Sequence, residues 1–332
     1  RSSPLPFGKT TRRMSRPIPT ASDVRSAAAL LADRVHRTPV HRSRTLDGRA
    51  GAELFLKCES FQRIGAFKFR GACHAVMKLP AERRAAGIAT HSSGNHAAAV
   101  ALAAALHDAP AYVVMPRNAS RAKRRAVEGY GATIIDCEPT HADREATAAR
   151  VVAETGATLV HPFDDPDVIA GQGTAALELL DEVPDLDVLL VPIGGGGLIS
   201  GSCLAVEASG ASTAVWGVEP SGADDAFRSK ESGMRLSLER PSSIADGLLA
   251  GIGELTWPFV RDRVARVMMV DDDRIAEAMR WVWERMKLVI EPSSATVVAA
   301  ALEPAFRQAG FRRVGLIISG GNVDLSALPW DR

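Results

Sequence analysis

From residue 87 onward the chain alternates short apolar runs with longer runs of helical character, and no other feature restricts the fold as much. Ile88-Ala89-Thr90-His91, Ala111-Tyr112-Val113-Val114-Met115, Thr133-Ile134-Ile135 and Thr158-Leu159-Val160 read as strands. Residues 95–106, 120–128 and 143–154 between them read as helices. Strands that alternate with helices in this way form parallel sheets with crossover helices. The second half repeats the pattern, with strands at 188–192, 214–218, 267–270 and 314–318 and helices at 172–180, 198–208, 273–286 and 293–302. Upstream, Ser22 can cap a helix through 35, which Thr38-Pro39-Val40 breaks; a strand at 53–57 and a helix at 69–78 follow. The expectation is an α/β chain with parallel-rich open sheets. Residues 88–164 make a small domain, and residues 21–87 with 165–332 a large one. Residues 221–262, rich in Ser, Gly and Pro, read as loops with short helices.

Composition removes several function classes. A chain of 332 residues with 46% hydrophobic and 24% charged residues can bury a full core. Its net charge of +1 provides no bulk attraction to nucleic acid, an anionic membrane or another polyanion. Cys58, Cys73, Cys137 and Cys203 lie far apart, which argues against a zinc site or a disulfide scaffold and suits a reducing cytoplasm. No apolar run reaches the roughly 18–20 residues that span a bilayer. Residues 1–20, basic and proline-rich without an apolar core, read as a flexible leader.

Lys68 is the first candidate for chemistry. Phe67 and Phe69 flank it, and desolvation lowers a lysine's pKa. A neutral amine is a nucleophile that can form a Schiff base with a carbonyl. Gly65, just before, lets the backbone approach something flat or anionic. The same stretch also suits a lysine at a helix start with a buried stem and a wet head.

Three loops stand at strand ends. Ser92-Ser93-Gly94-Asn95-His96 opens a helix, where free N–H groups and the helix dipole attract an anion; a plain N-cap with a buried histidine fits the same residues. Gly194-Gly195-Gly196-Gly197 also opens a helix, and its bare N–H groups suit a phosphate. It is neither a Walker A loop nor the spaced dinucleotide fingerprint. Ser319-Gly320-Gly321-Asn322 closes the last strand. Ligands of open α/β sheets sit beyond the carboxyl ends of strands, so the three loops can converge. With an imine-forming lysine, they suit pyridoxal phosphate. Glu219, Asp224 and Asp225 place carboxylates after a strand, which fits either a divalent cation or a solvated acidic turn.

On these residues the chain resembles the fold-type II pyridoxal-phosphate family of threonine and serine dehydratases and serine racemases, from residue 38 to 324. Ser60-Phe61-Gln62 with Gly65-Ala66-Phe67-Lys68 is similar to its cofactor-lysine motif, and the other three loops resemble its carboxylate, phosphate and pyridine-nitrogen motifs in order. The resemblance implies a two-domain, tryptophan-synthase-β-like architecture. It implies that Lys68 holds the cofactor aldehyde and then acts as base, and that Phe67 and Asn95 contact the ring. The four glycines and Leu198 would hold the phosphate, and Ser319 the ring nitrogen. Ser92, Ser93, Gly94, Asn95 and His96 would hold the substrate carboxylate. The implied reaction removes the Cα proton and the β-hydroxyl of serine, threonine or 3-hydroxyaspartate, leaving a 2-oxo acid and ammonia.

Ser93 resembles the serine-racemase and hydroxyaspartate-dehydratase branch, where a serine faces the lysine across the ring and serves as a second base. Glu219, Ala223 (by its carbonyl) and Asp225 resemble that branch's Mg²⁺, Ca²⁺ or Mn²⁺ site. Tyr130 and Arg144 match positions near the substrate entrance, where a guanidinium can pair with a second carboxylate. A homodimer is also implied. Ile64 stands where the family usually has Thr, and Ala98 where Gln is common; either can reshape the pocket. No regulatory domain is expected after the last motif. A dehydratase is the leading reading, with serine racemase as the alternative. A β-replacement synthase and a catalytically idle cofactor-binding protein fit less well.

Overall fold

The apolar runs pair into two sheets in the computed structural model, which describes residues 17–331 apart from Ser93 and Ser120. The strands are β1 (Val40–His41), β2 (Glu53–Cys58), β3 (Ile88–His91), β4 (Ala111–Pro116), β5 (Thr133–Cys137), β6 (Thr158–Leu159), β7 (Val188–Pro192), β8 (Ala214–Pro220), β9 (Arg266–Val270) and β10 (Arg313–Ile318). The helices are α1 (Ala21–Leu31), α2 (Arg44–Ala50), α3 (Lys68–Lys78), α4 (Ala81–Ala86), α5 (Asn95–Ala105), α6 (Arg121–Gly129) and α7 (His141–Thr155). They continue with α8 (Pro166–Glu182), α9 (Gly197–Ser209), α10 (Asp225–Ser232), α11 (Trp257–Asp262), α12 (Asp272–Trp281), α13 (Pro292–Leu302) and α14 (Pro304–Arg307). One sheet runs β1-β2-β10-β7-β8-β9 and the other β5-β4-β3-β6. All pairings are parallel except β1 with β2.

The larger sheet is buried on both faces, as parallel strands between helices must be. Alternate side chains divide cleanly, because successive residues of a strand point to opposite faces. Leu54, Leu56, Val188, Leu190, Val218, Met268, Val314 and Leu316 face a core shared with α2, α12 and α13. Phe55, Leu189, Val191, Val215, Val267 and Ile317 face a core shared with α1, α8 and α9. In the smaller sheet, Ile88, Val113 and Met115 pack on α3 and α5, while Ala89 and Val114 pack on α7.

Helix α8 lies close against both α3 and α9 through glycine. A Cβ on Gly171 would stand 2.7 Å from the Cα of Gly71, and one on Gly201 would stand 2.5 Å from the backbone N of Gly173. Helix α3, which begins at Lys68, is thereby held against α8 in the large sheet's helical layer.

Several boundaries differ from the sequence expectation for visible reasons. Thr20, assigned to the leader, is the N-cap of α1; its N–H donates to Asp23 Oδ2 at 2.8 Å, so Ser22 lies inside the helix instead of capping it. Residues 1–16 of that leader lie outside the described residues. Helix α8 starts six residues before 172 because Asp165 Oδ1 accepts from the N–H groups of Asp167 and Val168, with Pro166 in the first turn. After Trp281 the helix α12 widens into a π turn over Val282–Met286. The antiparallel β1 is two residues long, too short to show a period. Among the described residues, no helix is long and apolar enough to cross a membrane.

Gly201→Ala should destabilise the protein by about 1–3 kcal/mol, because its methyl group meets backbone on both sides. Gly48→Ala in α2 meets nothing within 4 Å and should stabilise by about 0.5–1 kcal/mol. Urea denaturation of both variants checks the contrast.

Candidate active site

The loop before Lys68 has an unusual backbone. Ile64 has φ 58° and Gly65 φ 73°, both left-handed. A β-branched residue there costs about 1–3 kcal/mol and persists only where its surroundings impose it. The loop after β10 does so. Asn322 Nδ2 donates to the Ile64 carbonyl at 2.7 Å, the Gly321 N–H to the Gly65 carbonyl at 2.9 Å, and the Phe67 N–H to the Ser319 carbonyl at 2.9 Å. Gly65 has to be glycine on two counts, its φ and a Cβ that would stand 2.6 Å from Asn322 Oδ1. Lys68 therefore enters α3 from a clasped loop, since β2 and β10 are neighbours in the sheet.

The Lys68 ammonium donates to the Pro162 carbonyl at 2.8 Å and lies 5.1 Å from the centre of the Phe67 ring. Part of the side chain stays open to the crevice, yet the surrounding protein desolvates the amine and lowers its pKa to about 8. The negative charge of Glu291 opposes that shift and does not cancel it.

The glycine loop stands opposite. Gly196 has φ 90° and caps α9. A Cβ on Gly195 would stand 2.3 Å from the Phe163 ring, and one on Gly196 would stand 2.7 Å from Thr256. Thr256 Oγ1 donates to the Gly195 carbonyl at 2.7 Å, which fixes the loop from behind. The first N–H groups of α9, which begins at Gly197 and includes Leu198, have no acceptor one turn earlier within the helix.

The 92–96 loop meets the others through Asn95. Its Nδ2 lies 3.1 Å from each carboxylate oxygen of Glu291, and its Oδ1 accepts from Asn322 Nδ2 at 2.9 Å. Ser92 Oγ accepts from the Gly94 N–H at 3.3 Å. His96 is buried with Nε2 3.2 Å from the Val160 carbonyl; burial pushes its pKa well down, so the ring is neutral. Its imidazole points into the subdomain, so any part that residue plays toward a ligand falls to its backbone. Ser93 lies outside the described residues. Ser319 is buried, its Oγ 3.0 Å from Ser294 Oγ, which also donates to the Gly320 carbonyl at 2.7 Å.

A family model described as "Pyridoxal-phosphate dependent enzyme" matches residues 31–320. The chain belongs to that family. It is similar to a β-hydroxyaspartate dehydratase of Paracoccus denitrificans, 47% identical over 95% of this chain and 99% of that protein. It is also similar to a serine racemase of Oryza sativa subsp. indica, 49% identical over 93% of this chain and 92% of that protein. The structure of maize serine racemase superposes with a TM-score of 0.92 and 47% identity, covering 95% of this chain and 97% of that one.

The residues of this family member fit pyridoxal phosphate. Lys68, its pKa lowered, reaches Pro162, whose neighbour Phe163 lies on glycines where side chains would collide, and the Ser319 carbonyl accepts from the Phe67 N–H beside a buried Ser319 hydroxyl.

The two outlying groups of candidates lie elsewhere. Glu219 and Asp225 are both buried. Glu219 accepts from the N–H groups of Phe227 at 2.7 Å and Ala226 at 3.2 Å, and Asp225 from that of Ile252 at 2.9 Å. Burial raises the Glu219 pKa to about 8, and the charge of Asp225 adds to it. Two desolvated carboxylates suit a hard cation, with the buried Ala223 between them in sequence. No group of three His, Cys, Asp or Glu side chains gathers there or elsewhere among the described residues. Arg144 is half-buried in α7, its Nε without a hydrogen-bond partner among the described residues. Tyr130 packs against the core between α5 and the smaller sheet.

Sequence reasoning missed three contributors. The segment from His161 to Asp164 has no motif, yet it crosses the site. Pro162 receives Lys68, Phe163 lies on the glycine loop, and Asp164 accepts from the N–H groups of Leu255 and Glu254. Glu291 was also missed; a carboxylate between Ile290 and Pro292 at a helix start was its signal. The third is a buried charge network behind Lys68. Arg70 is fully buried and holds Glu59 at 2.7 and 2.9 Å and Glu178 at 2.7 and 2.9 Å, while buried Lys57 reaches Glu178 at 2.7 Å. Burial pushes Glu178 up, but hydrogen bonds from Arg70 and Lys57 outweigh it and hold its pKa below the usual value. Arg70→Met should cost about 3–5 kcal/mol, since it leaves Glu59 buried without its guanidinium. Equilibrium denaturation checks this, with Arg70→Lys expected to fall between.

Proposed function

We propose that this chain is an ammonia-lyase that dehydrates a small β-hydroxy amino acid to a 2-oxo acid and ammonia, and that 3-hydroxyaspartate is the best-fitting substrate among L-serine, L-threonine and 3-hydroxyaspartate. The observation that carries the reading is Lys68, a desolvated amine with pKa about 8 fixed where three strand-end loops meet. Pyridoxal phosphate, when bound, supplies an aldehyde for the substrate amine and a ring that acidifies Cα. With the cofactor bound, the Lys68 amine would be the group that takes the Cα proton; near neutral pH a useful fraction of such a lysine is neutral.

The 92–96 loop, at the start of α5, holds the substrate carboxylate. The glycine loop and Leu198 would hold the phosphate, Phe67 and Asn95 would contact the ring, and Ser319 would offer its hydroxyl to the ring nitrogen. A hydroxyl, unlike a carboxylate, would not enforce a protonated ring, which suits a β-elimination. Arg144 takes the second carboxylate of 3-hydroxyaspartate; its unpartnered Nε supports this, as does the similarity to the Paracoccus dehydratase. Glu219, Asp225 and the Ala223 carbonyl hold a divalent cation (Mg²⁺, Ca²⁺ or Mn²⁺) that neutralises the buried carboxylates.

The four-stranded sheet, drawn wholly from 88–164, supports reading that block as the substrate-carboxylate domain and 21–87 with 165–332 as the cofactor domain. The four free, buried cysteines suit a cytoplasmic enzyme, and a homodimer without nucleic-acid or membrane partners completes the reading. Serine racemase is the second reading, favoured by the rice and maize similarities and by Ser93 as a base on the opposite face.

A product assay with L-serine, D-serine, L-threonine and both 3-hydroxyaspartate diastereomers, with and without Mg²⁺, tests these readings. Release of 2-oxo acid and ammonia from 3-hydroxyaspartate, weaker without Mg²⁺, is the expected result. Arg144→Ala should lower kcat/KM for 3-hydroxyaspartate by about 10- to 100-fold, while L-serine changes little. D-serine formed from L-serine, and lost in Ser93→Ala while elimination persists, would instead establish the racemase.

A further inference from the structure

Glu291 is a buried carboxylate that touches neither backbone strain nor substrate loop alone, but joins both. It stands at the N-cap of α13, its own N–H donating to the Gly320 carbonyl at 3.1 Å. Its oxygens receive Asn95 Nδ2 at 3.1 Å and the Asn322 N–H at 3.2 Å. From there one polarised chain runs to the clasp. Asn322 Nδ2 has two hydrogens, one for the Ile64 carbonyl at 2.7 Å and one for Asn95 Oδ1 at 2.9 Å. A carbonyl can only accept, so the Ile64 end fixes which way the Asn322 amide points. That in turn fixes Asn95 with its oxygen toward Asn322 and its nitrogen toward Glu291. The chain closes only if Glu291 accepts at its far end.

We propose that Glu291 is a positioning residue, whose carboxylate holds the Asn95 amide in one orientation and through Asn322 secures the loop that presents Lys68. The inference rests on the cofactor site proposed above. In the neutral acid one oxygen becomes a donor, which leaves a single oxygen to accept from both Asn95 Nδ2 and the Asn322 N–H. Turning the Asn95 amide to relieve this would set its nitrogen against the nitrogen of Asn322. The groups that act on the Glu291 charge come from four elements. Lys68 senses it from α3, Lys123 acts from α6, Asp246 from the turn before α11, and Asn95 from α5. Lys123 pairs with Asp246, which reduces the net influence of both. Burial raises the Glu291 pKa to about 7, against the opposing Asn95 hydrogen bond. The carboxyl is thus neutral below about 7 and accepts fully above it, so the positioned state is gained as pH rises.

The test compares the loaded enzyme with Glu291→Gln, Glu291→Asp and Asn322→Asp. Readouts are kcat and KM against pH, and the side-chain amide of ¹⁵N-labelled Asn95 by NMR. In the unmodified enzyme kcat should rise through a midpoint near 7, with the Asn95 amide titrating alongside. Glu291→Gln should lose the Asn95 titration, keep only the pH dependence that Lys68 sets, and lower kcat about 10- to 100-fold with KM changed much less. Glu291→Asp should keep the Asn95 titration with a displaced midpoint. Asn322→Asp, which sets an acceptor against the Ile64 carbonyl and Asn95 Oδ1, should lower kcat similarly, and it carries the test if Glu291→Gln fails to fold. An Asn95 amide that titrates in Glu291→Gln as it does in the unmodified enzyme, or one silent between pH 6 and 8 in the unmodified enzyme, would overturn the proposal. Failure of the cofactor reading looks different: the unmodified protein would show no cofactor absorbance, while the Asn95 titration would still judge Glu291.

Discussion

Three hydrogen bonds from the 319–322 loop to residues 64–67 keep two successive residues left-handed, and the position of Lys68 depends on them. The strain at Ile64 is of the order of 1–3 kcal/mol, comparable to what two or three net hydrogen bonds return. Such a loop is stable only because β2 and β10 are paired from Glu53 to Cys58, which brings its two halves into register. The sheet thus fixes the loop, and the loop fixes the first turn of α3. On its far side, the same turn is anchored by Arg70 to Glu59 and Glu178.

The electrostatics follow from that placement. Lys68 is surrounded by apolar atoms and a carbonyl, so its amine loses its proton more readily than a surface lysine does. Glu291 is the charge that limits this fall, and its own pKa is raised by the same burial. An amine moved down and a carboxyl moved up, within one crevice, are the ordinary sign of a working acid–base site. The buried pair Glu219, at the end of β8, and Asp225, at the start of α10, shows upward shifts as well, and accepts from backbone N–H groups.

The strands and their three terminal loops were legible because each strand's burial leaves a continuous apolar run and each loop is written in glycine, serine or asparagine. Lys68 drew attention through its flanking phenylalanines, but only together with the three loops did the stretch favour a reactive amine over a wet-headed lysine. The segment 161–164 was not, since its contacts are made by a backbone carbonyl, a ring face and a carboxylate that no spacing announces. Glu291 and Thr256 act by capping and backing loops distant in sequence, so only the folded chain brings them to the site. The first helix began at Thr20 because a hydrogen bond to Asp23 beats the equally plausible serine two residues on. His96 belonged to the right loop, but its ring turned inward to a carbonyl.

The most direct measurement is reductive trapping. The protein, loaded with pyridoxal phosphate, is treated with borohydride, digested and mapped by mass spectrometry. The account predicts a phosphopyridoxyl group on the peptide that contains Lys68, and none in Lys68→Ala. A label on another lysine, such as Lys57 or Lys123, or no label at all, would contradict the placement of Lys68 at the centre of the site.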